Sequence, residues 1–356
     1  MSKLTSPTHT RPPRTRQRGM GIKIDDVARV AGYSTATVSR VLNKSTQVTE
    51  KARRAIERAV EDLGYVPDSA ARMLASHASR TIGAVVPTIE NLTYAIGITA
   101  LQQRLRRAGY TLLISFSEYD MDLEFEEVRN LAARGVDGIM LVGGIHHPEM
   151  FKLLESRKIA YVTTWVLDST LPCIGFDNRE SAARIANYLV GLGHTDIAVI
   201  ASMSATNDRA TARVAGIRAA LATHGMALRD DRIIHGLGSI AEGKSAIRTL
   251  LAMTTMPTAV IGLNDTLAFG ALIEAQRHGL RVPQDLSIVG FDDLDYAAEL
   301  RPALTTVRIP AAEIGTATAE YLLARIRNTP VSRTVEIPAD LIVRDSTCPP
   351  RSLSGK

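Results

Sequence analysis

Apolar residues follow two rhythms along this 356-residue chain, and the rhythm changes near residue 80. Before that point the spacing is helical. Ile24, Val27, Ala28 and Ala31 share one face until Gly32 interrupts them. Ser34 then reads as the N-cap of a second helix that buries Val38, Val41 and Leu42. Thr49 reads as the N-cap of a third, whose apolar positions Ala52, Ile56, Val60 and Leu63 precede a stop at Gly64. Tyr65, Val66 and Pro67 break the pattern, a short helical stretch runs from Asp68 to Ala75, and Ser76 to Arg80 reads as a linker.

From residue 81 a helix ending in glycine and then a strand recurs five times: RLRRAGYTLLIS, LAARGVDGIMLV, YLVGLGHTDIAVI, LATHGMALRDDRIIHG and AQRHGLRVPQDLSIVGF. Near-continuous apolar strands alternating with helices predict parallel sheets covered on both faces. Some 260 residues of this pattern exceed one doubly wound sheet, so two lobes with a ligand cleft between them are expected.

Charge separates the same two regions. Residues 1–80 carry 15 Lys+Arg against 7 Asp+Glu, whereas the remainder carries 27 against 30. A basic head on a mildly acidic body points to a polyanion partner for the head. Residues 1–20 hold three prolines and five basic residues without an acid, and read as a disordered tail, with Met20 an alternative start. No apolar segment resembles a secretory signal or a membrane span. Cys173 and Cys348 stand alone, which fits a reducing cytoplasm and argues against a disulfide framework or a zinc site.

The run IDDVARVAGYSTATVSRVLN (24–43) has the form of a helix-turn-helix. Its second helix would present short polar side chains and then Arg40, which can donate two hydrogen bonds to guanine O6 and N7. The segments DVARVAGYS, TVSRVLN and LGYVPDSAARMLA, followed by IGAVVPTIEN, GLNDTLAFGAL and LSIVGFDD, resemble the LacI (lactose-repressor) family from the head to about residue 345. SRTIGAVVP, PCIGFDN and EAQRHGLRVPQDL are most similar to its gluconate-repressor branch. The resemblance implies base reading by Thr35, Ala36 and Arg40, and backbone contacts or helix orientation by Ser34, Thr37, Ser39 and Asn43. It further implies a hinge helix at Asp68–Ala75 that enters the minor groove, with Leu74 as an apolar wedge and Ala71 packed beside it. Asp68 stands where the family commonly has asparagine.

For the body the resemblance implies a periplasmic-binding-protein-like core of two lobes. One takes about 81–177 plus 309–338, the other about 178–308 plus the C-terminal strand. Arg209 and Arg213, four apart in NDRATARVAG, lie on one helix face and suit a carboxylate or phosphate. Arg213 matches the family's ligand-contacting arginine, and Asp292 the position that binds hydroxyls or braces it. Asn264 can donate and accept to a polyol, whereas Asp265 is expected to cap the next helix. Trp165, beside Thr164, could stack on a sugar ring or simply fill the core. Pro87, Asn91 and Tyr94 fall at the mouth of the first strand.

Two rival readings exist. Gly238 to Ser245 (GSIAEGKS) satisfies the P-loop pattern, so a nucleotide-binding protein is one alternative. A solute-binding protein without DNA function is the other. No cluster suggests catalysis, a metal or another cofactor, and His146-His147 lie in a loop-like stretch. The expected architecture is a disordered basic tail (1–20), an all-α helix-turn-helix domain (21–66), a hinge helix and linker (67–80), a two-lobed α/β effector-binding and dimerisation core with doubly wound parallel sheets (81–345), and a tail (346–356). The expected protein is a cytoplasmic homodimeric repressor, not an enzyme. Its partners are a pseudo-palindromic DNA operator and a sugar, sugar acid or sugar phosphate, with no membrane.

Overall fold

The computed structural model describes residues 22–42, 47–66, 79–202, 207–236 and 238–351, and divides into two compact units between Ser79 and Arg80. The first unit holds α1 (Ile24–Ala31), α2 (Thr35–Leu42) and α3 (Glu50–Leu63). Val27, Val38 and Ile56 are wholly buried at its centre. Gly32 takes φ 72° after α1 and Gly64 φ 61° after α3, the left-handed geometry that favours glycine at a helix end. The Thr49 hydroxyl accepts from the Ala52 amide at 3.4 Å, capping α3.

The second unit contains two parallel sheets. The first runs in the order β11-β5-β4-β3-β1-β2, from β1 (Thr81–Val86), β2 (Thr111–Phe116), β3 (Gly138–Val142), β4 (Ala160–Thr164), β5 (Cys173–Gly175) and β11 (Thr334–Glu336). The second runs β7-β6-β8-β9, from β6 (Ile197–Ser202), β7 (Ile233–Gly236), β8 (Ala259–Gly262) and β9 (Ser287–Val289). An antiparallel pair, β10 (Thr306–Arg308) with β12 (Asp340–Ile342), lies where the chain crosses between them.

Helices cover these sheets. α4 (Leu92–Arg107), α5 (Met121–Ala133), α6 (Met150–Ser156) and α11 (Ala311–Ile326) belong to the first lobe. α7 (Asn178–Gly191), α8 (Asp208–Thr223), α9 (Ile240–Leu251) and α10 (Asp265–Arg277) belong to the second. α4 and α11 meet at Gly97 and Gly315, where a Cβ on Gly315 would lie 2.0 Å from the Gly97 carbonyl oxygen. Such contact keeps the first lobe's outer layer thin and brings the start of α4 to the edge of the cleft.

Residues 346–351, expected as tail, are instead packed on the second lobe. Ser346 is fully buried, donating to the Ile288 carbonyl at 2.5 Å and accepting from the Thr305 amide at 2.8 Å. His194 bonds the Cys348 carbonyl at 2.9 Å, and Arg351 pairs with Asp285. A polar, proline-containing end looks unfolded by composition, but here its hydroxyl and carbonyl groups complete the ladder beside β9. Among the described residues no helix is long and apolar enough to cross a membrane, and no group of side chains could hold a metal ion.

Candidate functional site

In the head, Val38 and Val41 point into the core, which turns Thr35, Ala36 and Arg40 outward to solvent. Thr37 and Ser39 are half-buried on the flank. The Ser34 hydroxyl accepts from the Thr37 amide at 3.2 Å and shares a 2.9 Å hydrogen bond with its hydroxyl, fixing the start of α2. Two short side chains beside one long guanidinium can approach a groove floor closely. Asn43, Ala71 and Leu74 lie outside the described residues.

In the body, seven of the nine expected ligand residues converge on one cavity of about 40 Å³ between the two lobes. Asn91 and Tyr94 come from the start of α4, Trp165 from the end of β4, and Arg209 and Arg213 from the first turns of α8. Asn264 and Asp292 close it from the carboxyl ends of β8 and β9. Pro87 and Thr164 do not line it. The Thr164 hydroxyl is spent on the Leu141 carbonyl at 2.6 Å, and the Pro87 carbonyl accepts from the Glu118 amide.

Both arginines are buried rather than solvated, and each is engaged. Arg213 donates to Asn178 Oδ1 at 2.9 Å and to the Leu263 carbonyl at 2.6 Å, and its guanidinium lies 3.7 Å from the Phe291 ring centroid. Asn178 in turn donates to the Trp165 carbonyl at 2.8 Å, so one amide orients both an arginine and a strained backbone. Arg209 pairs with Asp208 at 2.6 Å and with the Tyr94 phenol. Asp208 reaches across the cleft to the Gly144 amide at 2.6 Å. The Gly143–Gly144 turn is braced by His146, which bonds the Gly143 carbonyl and Glu124. His146 lies in the loop after β3, as expected, with its side chain buried in a structural role.

Burial dominates the electrostatics. It pulls Arg213 down to about 10, and it pushes Asp292 up to about 8 with help from Asp265 and against the pull of Arg213. Burial also lowers Arg209, but Tyr94, Asp208 and Tyr119 outweigh it and hold that guanidinium above its ordinary range. Three cavity residues have positive φ without being glycine: Tyr119 at 60°, Trp165 at 60° and Asp292 at 142°. Such conformations cost about 1–3 kcal/mol each and gather where a site over-determines the backbone. The Trp165 indole N–H, fully buried, has no hydrogen-bond partner. The cavity therefore offers cationic and N–H donors to an acceptor-rich ligand.

The cap of α10 lies one residue earlier than expected. Asn264, expected to meet a polyol, caps the helix by accepting from the Leu267 amide at 2.7 Å, although it still borders the cavity. Asp265, expected as the cap, is buried instead. It accepts from Thr306 Oγ1 at 2.6 Å and from the Leu294 amide at 2.8 Å, bracing the turn that carries Asp292. Thr93, Tyr119 and Asn207 also line the cavity and were not singled out from sequence. Their signal was available: each lies in a strand-to-helix connection or the helix turn that follows it, at a parallel strand's carboxyl end, where open α/β sheets bind ligands.

The GSIAEGKS stretch has a structural explanation. Ser239 and Glu242 form a capping box that occupies the amides a phosphate would need. A Cβ on Gly243 would lie 2.2 Å from the Leu267 carbonyl oxygen, so that glycine serves the α9–α10 contact.

Comparison with known proteins agrees with this geometry. Residues 23–68 match the family described as bacterial regulatory proteins, lacI family, and residues 186–347 match a periplasmic binding protein-like domain. The HTH-type transcriptional repressor PurR of Vibrio campbellii is 34% identical over 329 residues, 91% of this chain and 98% of that protein. The lac repressor dimer bound to operator and the anti-inducer ONPF superposes with a TM-score of 0.82 at 27% identity, over 92% of this chain and 99% of that one. The transcription regulator GntR of Chromobacterium violaceum aligns with a TM-score of 0.71 at 29% identity, over 75% of this chain and 99% of its own.

Proposed function

Because this chain belongs to the LacI family of bacterial regulatory proteins, we propose that it is a homodimeric cytoplasmic repressor whose operator affinity is set by a sugar acid or phosphorylated sugar held between its lobes. The chain is a DNA-binding transcriptional repressor and not an enzyme. The observation that carries the effector class is the burial of Arg209 and Arg213 in one cavity. A desolvated guanidinium pair is complemented best by an anion that accepts from the N–H groups not already engaged by Asn178, Leu263 and Asp208. Asp292 and Trp165 would then meet the hydroxyls and the ring face of the same ligand. The likeness to the GntR structure supports the gluconate-repressor branch.

In the head, Thr35, Ala36 and Arg40 read base edges, while Ser34, Thr37, Ser39 and Asn43 set the helix on the phosphate backbone. The segment 68–75, with Leu74 and Ala71, acts as the hinge between reader and sensor. Ligand binding changes the angle between the lobes and thereby the spacing of the paired hinges. An exposed apolar groove where the lobes meet, lined by Leu92 and Ile96 of the first and Tyr296 of the second, supports a two-fold partner.

A thermal-shift screen of neutral sugars, sugar acids such as D-gluconate, and sugar phosphates tests the reading. A ligand present at 100 times its Kd stabilises the native state by about 2.7 kcal/mol. Stabilisation by the acids or phosphates, followed by a changed operator affinity in a gel shift, is the expected result. Stabilisation by neutral sugars or nucleobases alone would reject the effector class.

A further inference from the structure

A cavity of about 40 Å³ holds little more than ordered water, whereas small-ligand pockets run from roughly 300 Å³ upward. Something at its border must move before an effector can enter. Among the described lining residues only Asn91, Tyr119 and Asn264 retain partial exposure, so these three form the mouth. Asn91 accepts from the Thr93 amide as the cap of α4, and Asn264 caps α10. Moving either would unpick a helix end. Tyr119 has no such duty.

Tyr119 lies in the turn Ser117–Asp120 between β2 and α5. The Asp120 amide bonds the Ser117 carbonyl at 2.7 Å, and both central residues, Glu118 and Tyr119, have positive φ. That is the signature of a type I′ turn, whose central positions normally hold Asn or Gly. A tyrosine there is strained, and its phenol hydrogen-bonds the Tyr94 phenol, which in turn bonds Arg209. One end of the residue meets solvent while the other reaches the arginines.

We propose that Tyr119 is the gate of the cavity and a specificity-determining residue: it fills the effector's place beside Tyr94 and Arg209 and swings out when a ligand supplies an acceptor of its own. This inference rests on the reading of the cavity as the effector site. Ligands without an anionic or similarly strong acceptor at that end cannot replace the lost hydrogen bond, so the gate rejects them.

Trp165 is the chain's single tryptophan and is shielded behind the gate, so its fluorescence reports access without any effector. Acrylamide quenching is compared in the full-length wild type, Tyr119→Gly and Tyr119→Phe. Glycine suits φ 60°, so its variant removes the side chain while relieving the turn. The quenching constant should rise several-fold in Tyr119→Gly and clearly less in Tyr119→Phe, which keeps the ring in the mouth but loses the phenol's hydrogen bond. Equal quenching in wild type and Tyr119→Gly, or an equal rise in Tyr119→Phe, overturns the gate. A failed effector screen would leave this measurement unaffected, so the two readings fail separately.

Discussion

Asp208 of the second lobe accepts a 2.6 Å hydrogen bond from the Gly144 amide of the first, and its other oxygen holds Arg209. One carboxylate thus fastens the cleft and occupies the arginine that an anionic effector would claim. An anionic ligand at Arg209 would compete with that latch, and its binding would then be linked to lobe movement.

Replacing Asp208 with alanine should release that latch. A hydrogen bond to a charged group contributes about 1.5–3 kcal/mol, and partial exposure puts this one at the lower end. The expected result is a melting temperature lowered by several degrees, read by calorimetry without ligand. An unchanged melting temperature would show that the lobes are held elsewhere.

Arg40→Ala should remove specific operator binding while sparing weak binding to random DNA. Loss of one bidentate guanine contact costs about 1–3 kcal/mol, and a dimer loses it twice. Arg40 is exposed, so folding should be untouched. A gel shift on a palindromic site with undiminished affinity would remove Arg40 from base reading.

Ile96 is exposed in the apolar groove with Leu92 and Tyr296. If that groove is the two-fold interface, Ile96→Glu buries an unpaired carboxylate against its symmetry mate, at a cost of several kcal/mol. Sedimentation should then report a monomer where the wild type is a dimer. A dimer of undiminished strength would place the interface on another face.

The stability of the second lobe should depend on pH through His194. Burial holds this imidazole below its ordinary value of 6.5. Its Nε2 bonds the Cys348 carbonyl and Nδ1 the Thr258 hydroxyl. The unfolded chain binds the proton more readily, so His194's contribution is intact above 6.5 and lost as pH falls toward the lower folded value. The melting temperature should decline as pH falls below about 6.5, and His194→Gln should flatten the decline. An identical slope in both proteins would count against this assignment.

Lys244→Ala should leave operator affinity and effector response intact, because the neighbouring glycine and serine already have packing and capping duties. Magnesium-dependent ATP binding present in the wild type and lost in this variant would instead establish a true phosphate loop.

What was legible in the sequence was local. The head's helices announce themselves through Gly32, Ser34, Thr49 and Gly64, each acting within a few residues of the helix it bounds. The arginine pair was legible because four residues bring two side chains onto one helix face. Neighbours with equal local aptitude were confused: Asn264 and Asp265 can both cap a helix, and only Thr306, 41 residues away, draws Asp265 inward. The Asp208–Gly144 latch spans 64 residues, and the role of Asn178 depends on Trp165 and Arg213 arriving from opposite directions. No periodicity encodes such meetings.

The last stretch of chain finishes both lobes at once: α11 and β11 close the first, and residues 346–351 bind the second. On the ribosome this imposes an order of maturation. The head needs only contacts within its own residues and can fold soon after it emerges, whereas neither half of the sensor is complete until synthesis is almost over. A truncated product ending before α11 would carry a folded head on an unfinished sensor. Translation to the end is therefore what completes the cleft between the two lobes.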